Sequence, residues 1–367
     1  MPLRIPCLLL CAALAAGCGP VTAQDYLIET VAEGLEHPWS IAFLPDGRML
    51  VTERAGRLRI IADGELLAEA VQGVPEAYVR SQAGLFEVAL DPDYEDNGWI
   101  YLSLAHGTAR ANSTRVVRGR LEGGSLREIE VLFTADPPRD TAAHYGGRMA
   151  FLADGSLVIG LGDGADFREE AQRLDSHNGK IVRIQRDGGI PADNPFVGRA
   201  DALPEIYSFG HRNVQGLVFD AASGRLWAHE HGPRGGDEIN LIRPGRNYGW
   251  PVATFGVEYY GARITPYTSR PGMEDPLLHW TPSIAPAGMT LYDGEQFPAW
   301  RGDLLVAALV AKEARRVMIE EGRVSGQEAL FDEIGARLRA IETGPDGALY
   351  VLTDQPRGRV LRISARP

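Results

Sequence analysis

The sequence predicts an all-β ring of six four-stranded antiparallel sheets, a six-bladed β-propeller. Three observations predict it. A turn-and-strand phrase recurs six times along the chain. The 43 glycines and 24 prolines among 367 residues suit many tight turns. No long amphipathic helical pattern competes with the strand periodicity.

The phrase is a turn carrying Gly, often Asp-Gly or Asn-Gly, followed by a strand of alternating apolar residues. It first appears as Leu44-Pro45-Asp46-Gly47-Arg48-Met49-Leu50-Val51. It returns as Asp96-Asn97-Gly98-Trp99-Ile100-Tyr101-Leu102, and again as Ala153-Asp154-Gly155-Ser156-Leu157-Val158-Ile159-Gly160. Ala222-Ser223-Gly224-Arg225-Leu226-Trp227 is the fourth and Trp300-Arg301-Gly302-Asp303-Leu304-Leu305-Val306 the fifth. Gly344-Pro345-Asp346-Gly347-Ala348-Leu349-Tyr350-Val351 closes the set. Apolar arms precede several turns, such as Trp39-Ser40-Ile41-Ala42-Phe43, and further strands follow, such as Lys180-Ile181-Val182-Arg183-Ile184. Repeats of this size that each supply several strands close into a ring, which hides the strand edges. A large β-sandwich is the competing all-β solution. Unequal turn spacing places long insertions at about residues 185–205 and 230–280, and loops on a rigid ring are where sites gather.

Residues 1–23 stand apart from this pattern. Arg4 precedes a short apolar run, and Val21-Thr22-Ala23 offers small residues before Gln24. This is the pattern of a secretory signal peptide, leaving residues 24–367 as one exported, periplasmic propeller domain. Leu14-Ala15-Ala16-Gly17-Cys18 also resembles a lipoprotein cleavage box, with Cys18 as a lipid anchor. All three cysteines, Cys7, Cys11 and Cys18, lie in this leader, so the body has no disulfide and no thiolate chemistry. No later stretch is apolar enough for a transmembrane segment. The formal net charge of −12 argues against a nucleic-acid partner.

Four polar stretches can carry chemistry. His144, in Ala143-His144-Tyr145-Gly146-Gly147-Arg148, has a suitable intrinsic pKa for a base, though it is one of eight histidines. Arg212-Asn213 offers a fixed cation beside an amide, ahead of a blade strand. His229-Glu230-His231-Gly232-Pro233-Arg234-Gly235-Gly236-Asp237-Glu238-Ile239-Asn240 collects hard oxygen donors suited to calcium. His229 and His231 make zinc conceivable, but their spacing lacks a fitting third ligand. Arg337 and Arg339 fall on one side of a strand by alternation, as an anion clamp or a solvated face.

Together these stretches resemble the soluble pyrroloquinoline-quinone-dependent aldose sugar dehydrogenases, relatives of soluble quinoprotein glucose dehydrogenase. The likeness runs from Glu36-His37-Pro38-Trp39 to Tyr350-Val351-Leu352-Thr353-Asp354 and includes Gln82-Ala83-Gly84-Leu85, in family order. The resemblance implies His144 as general base, and Gln82, Arg212, Asn213, Tyr259, Arg337 and Arg339 as contacts to the quinone (PQQ). It implies that the carbonyls of Gly232 and Pro233 hold a catalytic Ca2+, and that Glu238 and Tyr248 belong to a second, structural calcium site. The implied reaction oxidises an aldose to its lactone and passes electrons to an external acceptor. Two positions depart from the family. Val310 stands where it has a lysine near the quinone, with Lys312 two residues on. Ala143 replaces an acidic residue that would orient or tune His144 in the glucose dehydrogenase branch. A calcium-dependent propeller lactonase and a non-catalytic binding propeller are the alternatives, and the arginine pairs weigh against the first.

Overall fold

The computed structural model describes residues 26–366; the expected signal peptide, the Cys18 lipidation box and the Gln24 start lie outside the described residues. Six four-stranded antiparallel sheets form the ring, and no other sheet is present among the described residues. Each blade opens on an innermost strand: Pro38–Phe43, Leu85–Leu90, Gly146–Phe151, Val214–Asp220, Pro286–Leu291 and Leu338–Thr343. Neighbouring innermost strands pack against one another around the ring. Blades one to five are continuous in sequence. The sixth takes its outermost strand, Tyr26–Leu35, from the start of the fold, paired antiparallel with Gly358–Ala365. That pairing closes the ring.

All six recurring phrases form the same element, the turn between the first and second strand of a blade. One glycine in each turn takes positive φ, from 68° at Gly98 to 88° at Gly47. Short polar side chains close the turns from within: Asn97 Oδ1 accepts the Trp99 N–H at 2.9 Å, and Asp154 Oδ1 accepts that of Ser156 at 3.0 Å. Of the expected insertions, the first joins Lys180–Ile184 to Ile206–Phe209. The second is interrupted by the strand Asp237–Ile242: the stretch from His229 to Asn240 begins at the end of the second strand of blade four, Arg225–Glu230, crosses a short loop and ends in the third.

The core is a set of seams between blades rather than one centre. Leu44, Leu50 and Leu58 of blade one meet Leu85, Val88 and Leu102 of blade two. Trp227 and Trp280 of blade four meet Met289 and Val306 of blade five. Trp300 and Phe331 of blade five join Tyr26 and Ile341 of blade six. Burying each such apolar side chain contributes about 1.5–3 kcal/mol, so adjacent blades hold each other in register. Among the described residues no helix is long and apolar enough to cross a membrane.

Every innermost strand carries one extra residue close to its start. The register against the second strand slips between Pro38 and Ser40, Leu85 and Val88, and Gly146 and Met149. It slips likewise between Val214 and Gly216, Pro286 and Met289, and Leu338 and Ala340. Six bulges at one end of the ring turn side chains out of the alternating pattern and toward the axis.

Candidate active site

The bulged end holds a cavity of about 200 Å³ with lining from all six blades. Bulge residues Trp39, Phe86, Gln215 and Arg339 form part of its wall. Ends of second strands supply Arg54, Leu309 and Asp354, and His231 follows from blade four. An innermost strand starts, and its second strand ends, at the same end of the ring; this brings distant residues together.

His144 lies immediately before the third innermost strand, held at φ 51°. Its backbone N–H donates to Gln82 Oε1 at 2.9 Å, joining two of the residues singled out in the sequence. Its Nδ1 meets Asp163 Oδ1 at 2.7 Å. Asp163 is fully buried and also accepts from Trp250 Nε1 and from the Ala165 N–H, both at 2.8 Å. Each carboxylate oxygen therefore faces an N–H, so Asp163 acts only as an acceptor and the imidazole carries its proton on Nδ1. Nε2 is left with no hydrogen-bond partner among the described residues. Burial, with smaller contributions from the Arg212 and Arg139 cations, lowers the His144 pKa against the hydrogen bond it donates to Asp163. Burial alone would raise the Asp163 carboxyl; its bond to His144 and the Arg212 charge hold it below the ordinary range.

Asp163 was not among the sequence candidates. The acid that meets the base comes from another strand end and not from position 143, where Ala143 stands. Its signal was Leu161-Gly162-Asp163-Gly164, which follows the third turn-and-strand phrase and returns the chain to the end that carries His144.

Arg212 and Asn213 precede the fourth innermost strand. Arg212 Nη1 donates to the carbonyls of His231 at 3.1 Å and Gly232 at 2.7 Å, while its buried Nε lacks an acceptor among the described residues. Asn213 lines the cavity, and its Oδ1 accepts from the Gly146 N–H at 3.2 Å. Arg337 and Arg339 both line the cavity, but the bulge rather than simple alternation aims Arg339 inward. Arg339 Nη2 donates to Asp354 Oδ2 at 3.0 Å, and Arg337 Nε stands 3.7 Å from the same oxygen. Burial brings Arg339 down to about 10. Burial would raise Asp354, yet Arg339 and the His37 ring outweigh it and bring it down to about 2. With Arg54 nearby, cations exceed acids on this wall, beside the aromatic rings of Trp39 and Phe86.

Tyr259 sits elsewhere, 70% exposed on the wall of an adjoining apolar groove with Pro233, Val257 and Val310. Lys312 is exposed and lines neither space. Gly232 and Pro233 turn sharply: a Cβ on Gly232 would lie 2.2 Å from the Gly235 carbonyl oxygen. Glu238 faces Glu230 across paired strands. Burial and the Glu230 charge raise the Glu238 carboxyl well above its usual range. The neighbouring Asn240 Oδ1 is buried without a partner. The Tyr248 hydroxyl is already used, donating to the Leu241 carbonyl at 2.7 Å and accepting from the Arg243 N–H at 2.8 Å. Only its backbone carbonyl remains as a donor oxygen. His229 and His231 do not converge on a third ligand: no group of three His, Cys, Asp or Glu gathers as a metal site among the described residues.

The family model described as glucose/sorbosone dehydrogenase matches residues 35–362. The aldose sugar dehydrogenase YliI of Escherichia coli K12 is 39% identical over 364 residues, covering 98% of this chain and 97% of that protein. A crystal structure of a glucose dehydrogenase, 43% identical, aligns with a TM-score of 0.90 over 93% of this chain and 100% of its own. An aldose sugar dehydrogenase of Streptomyces coelicolor, solved in its PQQ-bound form, is 28% identical with a TM-score of 0.75, over 93% and 99% of the two chains. The propeller, the ordered motifs and these matches agree: the chain belongs to the glucose/sorbosone dehydrogenase family and is an oxidoreductase acting on sugars.

Proposed function

We propose that the chain oxidises aldoses to lactones with pyrroloquinoline quinone and calcium, using His144 as the base. The observation that carries the reading is the Asp163-fixed imidazole beside an arginine-lined cavity. A planar, aromatic tricarboxylate suits a wall that combines Trp39 and Phe86 with Arg54, Arg337 and Arg339. When bound, the quinone supplies the hydride acceptor and calcium supplies Lewis acidity.

The protein's own residues do the rest. Nε2 of His144 takes the proton of the anomeric hydroxyl, and Asp163 stabilises the imidazolium that forms. Gln82 fixes the backbone of the base. Arg212 provides positive charge where oxygen charge develops. Arg337 and Arg339 grip carboxylates, and Asn213 offers an amide beside them. The convergence of the His231 and Gly232 carbonyls on one guanidinium marks a cation-favouring spot, to which Pro233 belongs by sequence. Glu238, the unpaired Asn240 Oδ1 and the Tyr248 carbonyl fit a second, structural calcium. Tyr259, on the adjoining groove, is assigned with Arg337, Arg339 and Asn213 as a contact to the quinone. The electrons leave to an external acceptor, and residues 1–23 deliver the enzyme outside the cytoplasm.

The test is reconstitution: quinone and calcium are added to apo-protein and dye reduction is followed with several aldoses. His144→Ala is expected to lose at least about 10³-fold in turnover while retaining the quinone spectrum after desalting. Near-parental oxidation by that variant overturns the assignment.

A further inference from the structure

Behind the His144–Asp163 pair stands a buried guanidinium with no role in the reading above. Arg139 lies in the connection between blades two and three and is 4% exposed. Its backbone is pinned to Asn112 by two hydrogen bonds of 2.8 Å, one in each direction. Its Nη1 donates to the Gly162 carbonyl at 3.2 Å and to Asn178 Oδ1 at 2.9 Å. The guanidinium carbon sits 4.6 Å from the centre of the Tyr145 ring. Its Nε and Nη2 are buried without acceptors among the described residues. The carboxylate whose charge reaches it is that of Asp163. A buried cation without an ion-pair partner is strongly unfavourable unless something else requires it.

The contacts show what requires it. Gly162 adjoins Asp163 in the chain, and Tyr145 adjoins His144. Gly164, on the other side of Asp163, is so close that a Cβ there would lie 2.5 Å from Arg139 Cδ. The turn holding the acid is therefore packed onto Arg139 from both sides, and the ring beside the base stacks on the same group. We propose that Arg139 is a positioning residue for the base. Its fork fixes the Gly162–Gly164 turn and the Tyr145 ring so that Asp163 meets His144, and its uncompensated charge adds to that of Arg212 in opposing the imidazolium.

This rests on His144 being the base. The charged and titratable groups facing that imidazole are Asp163, Arg212, Arg139 and His231. Asp163 favours the imidazolium; Arg212 and Arg139 oppose it. Burial holds His231 down at about 3, so it is neutral at working pH. Removing Arg139 leaves Arg212 as the cation opposing Asp163.

Two variants separate the effects. Arg139→Gln removes the charge and keeps a donor for Gly162 and Asn178; Arg139→Lys keeps the charge and removes the fork. Histidine NMR titration of the apo-protein reads the imidazole, and the pH profile of reconstituted enzyme reads the reaction. In Arg139→Gln the His144 signal is expected to titrate at higher pH and the acid limb of kcat to move the same way. In Arg139→Lys the titration is expected to stay near parental while kcat falls roughly tenfold, with KM for sugar within about twofold. Folded Arg139→Gln with parental titration and acid limb overturns the electrostatic role; parental kcat in Arg139→Lys overturns the positioning role. If Arg139→Gln does not fold, Arg139→Met, also uncharged, takes its place in the titration with the same expected shift, and kcat in Arg139→Lys decides the positioning role. Turnover surviving in His144→Ala marks failure of the base assignment instead.

Discussion

The two ends of the ring are built from opposite materials. At one end six short turns repeat nearly the same solution, a glycine at positive φ, and in four of them that glycine has open space around it: nothing lies within 4 Å of a Cβ built on Gly47, Gly98, Gly224 or Gly302. At the other end, non-glycine residues hold the left-handed conformation: His37, Ser81, His144 and Ala285, with φ between 48° and 53°. Each of these four lies just ahead of an innermost strand, and each innermost strand is bulged there. The turn end is relaxed, and short side chains such as Asn97 and Asp154 close its turns from within. The site end is strained, buried and charged, and each residue there leans on others from distant blades. Conformational strain of this kind persists only where surrounding contacts determine it. The difference teaches where function is concentrated and where substitution is tolerated.

The sharpest way to break that contrast is Asp163→Asn. Both oxygens of Asp163 accept N–H groups, so an amide NH2 clashes with a donor in either orientation. The expected result is a loss of kcat of roughly 10³-fold from a wrong tautomer or displaced ring, read by steady-state kinetics of the reconstituted enzyme. Retained kcat would mean that the site end tolerates change as the turn end does.

Next in size is Asp354→Asn. Asp354 is ionised in the fold down to about pH 2, below the ordinary range of an aspartate carboxyl. A depressed carboxyl contributes stability that is complete above its unfolded pKa and disappears as pH falls through the folded one. The contribution is about 2 kcal/mol at neutral pH, lost between about pH 4 and pH 2. The variant should be less stable by that amount at pH 7, and its denaturation midpoint should fall less steeply below pH 4. An unchanged midpoint at pH 7 would show that Arg339 does not depend on this partner.

The same contrast explains what the sequence disclosed. The turns were legible because their determinants are local: Gly47, Gly98 and Gly224 need only positive φ, and Asp154 or Asn97 bonds a residue two places on. The site was legible only where a motif marked it, as at His144, Gln82 and Arg212-Asn213. Asp163 and Asp354 escaped because each meets its partner through ring geometry, across 19 residues for Asp163 and His144 and 317 for Asp354 and His37. The bulges escaped too. One added residue in a strand leaves no mark in an alternating pattern, although it decides that Trp39 and Arg339 face the cavity.

The smallest effect tests the relaxed end. Gly98 sits at φ 68° with no neighbour within reach of an added methyl. Gly98→Ala should therefore cost only the conformational term, about 1 kcal/mol, seen as a modest fall in Tm with sugar oxidation unchanged. Gly162 supplies the control, because a Cβ there would lie 1.9 Å from the His144 carbonyl oxygen. Gly162→Ala must push the base or its acid aside, so the same added methyl should leave activity intact at one end of the ring and remove it at the other. Equal effects at the two positions would dissolve the distinction.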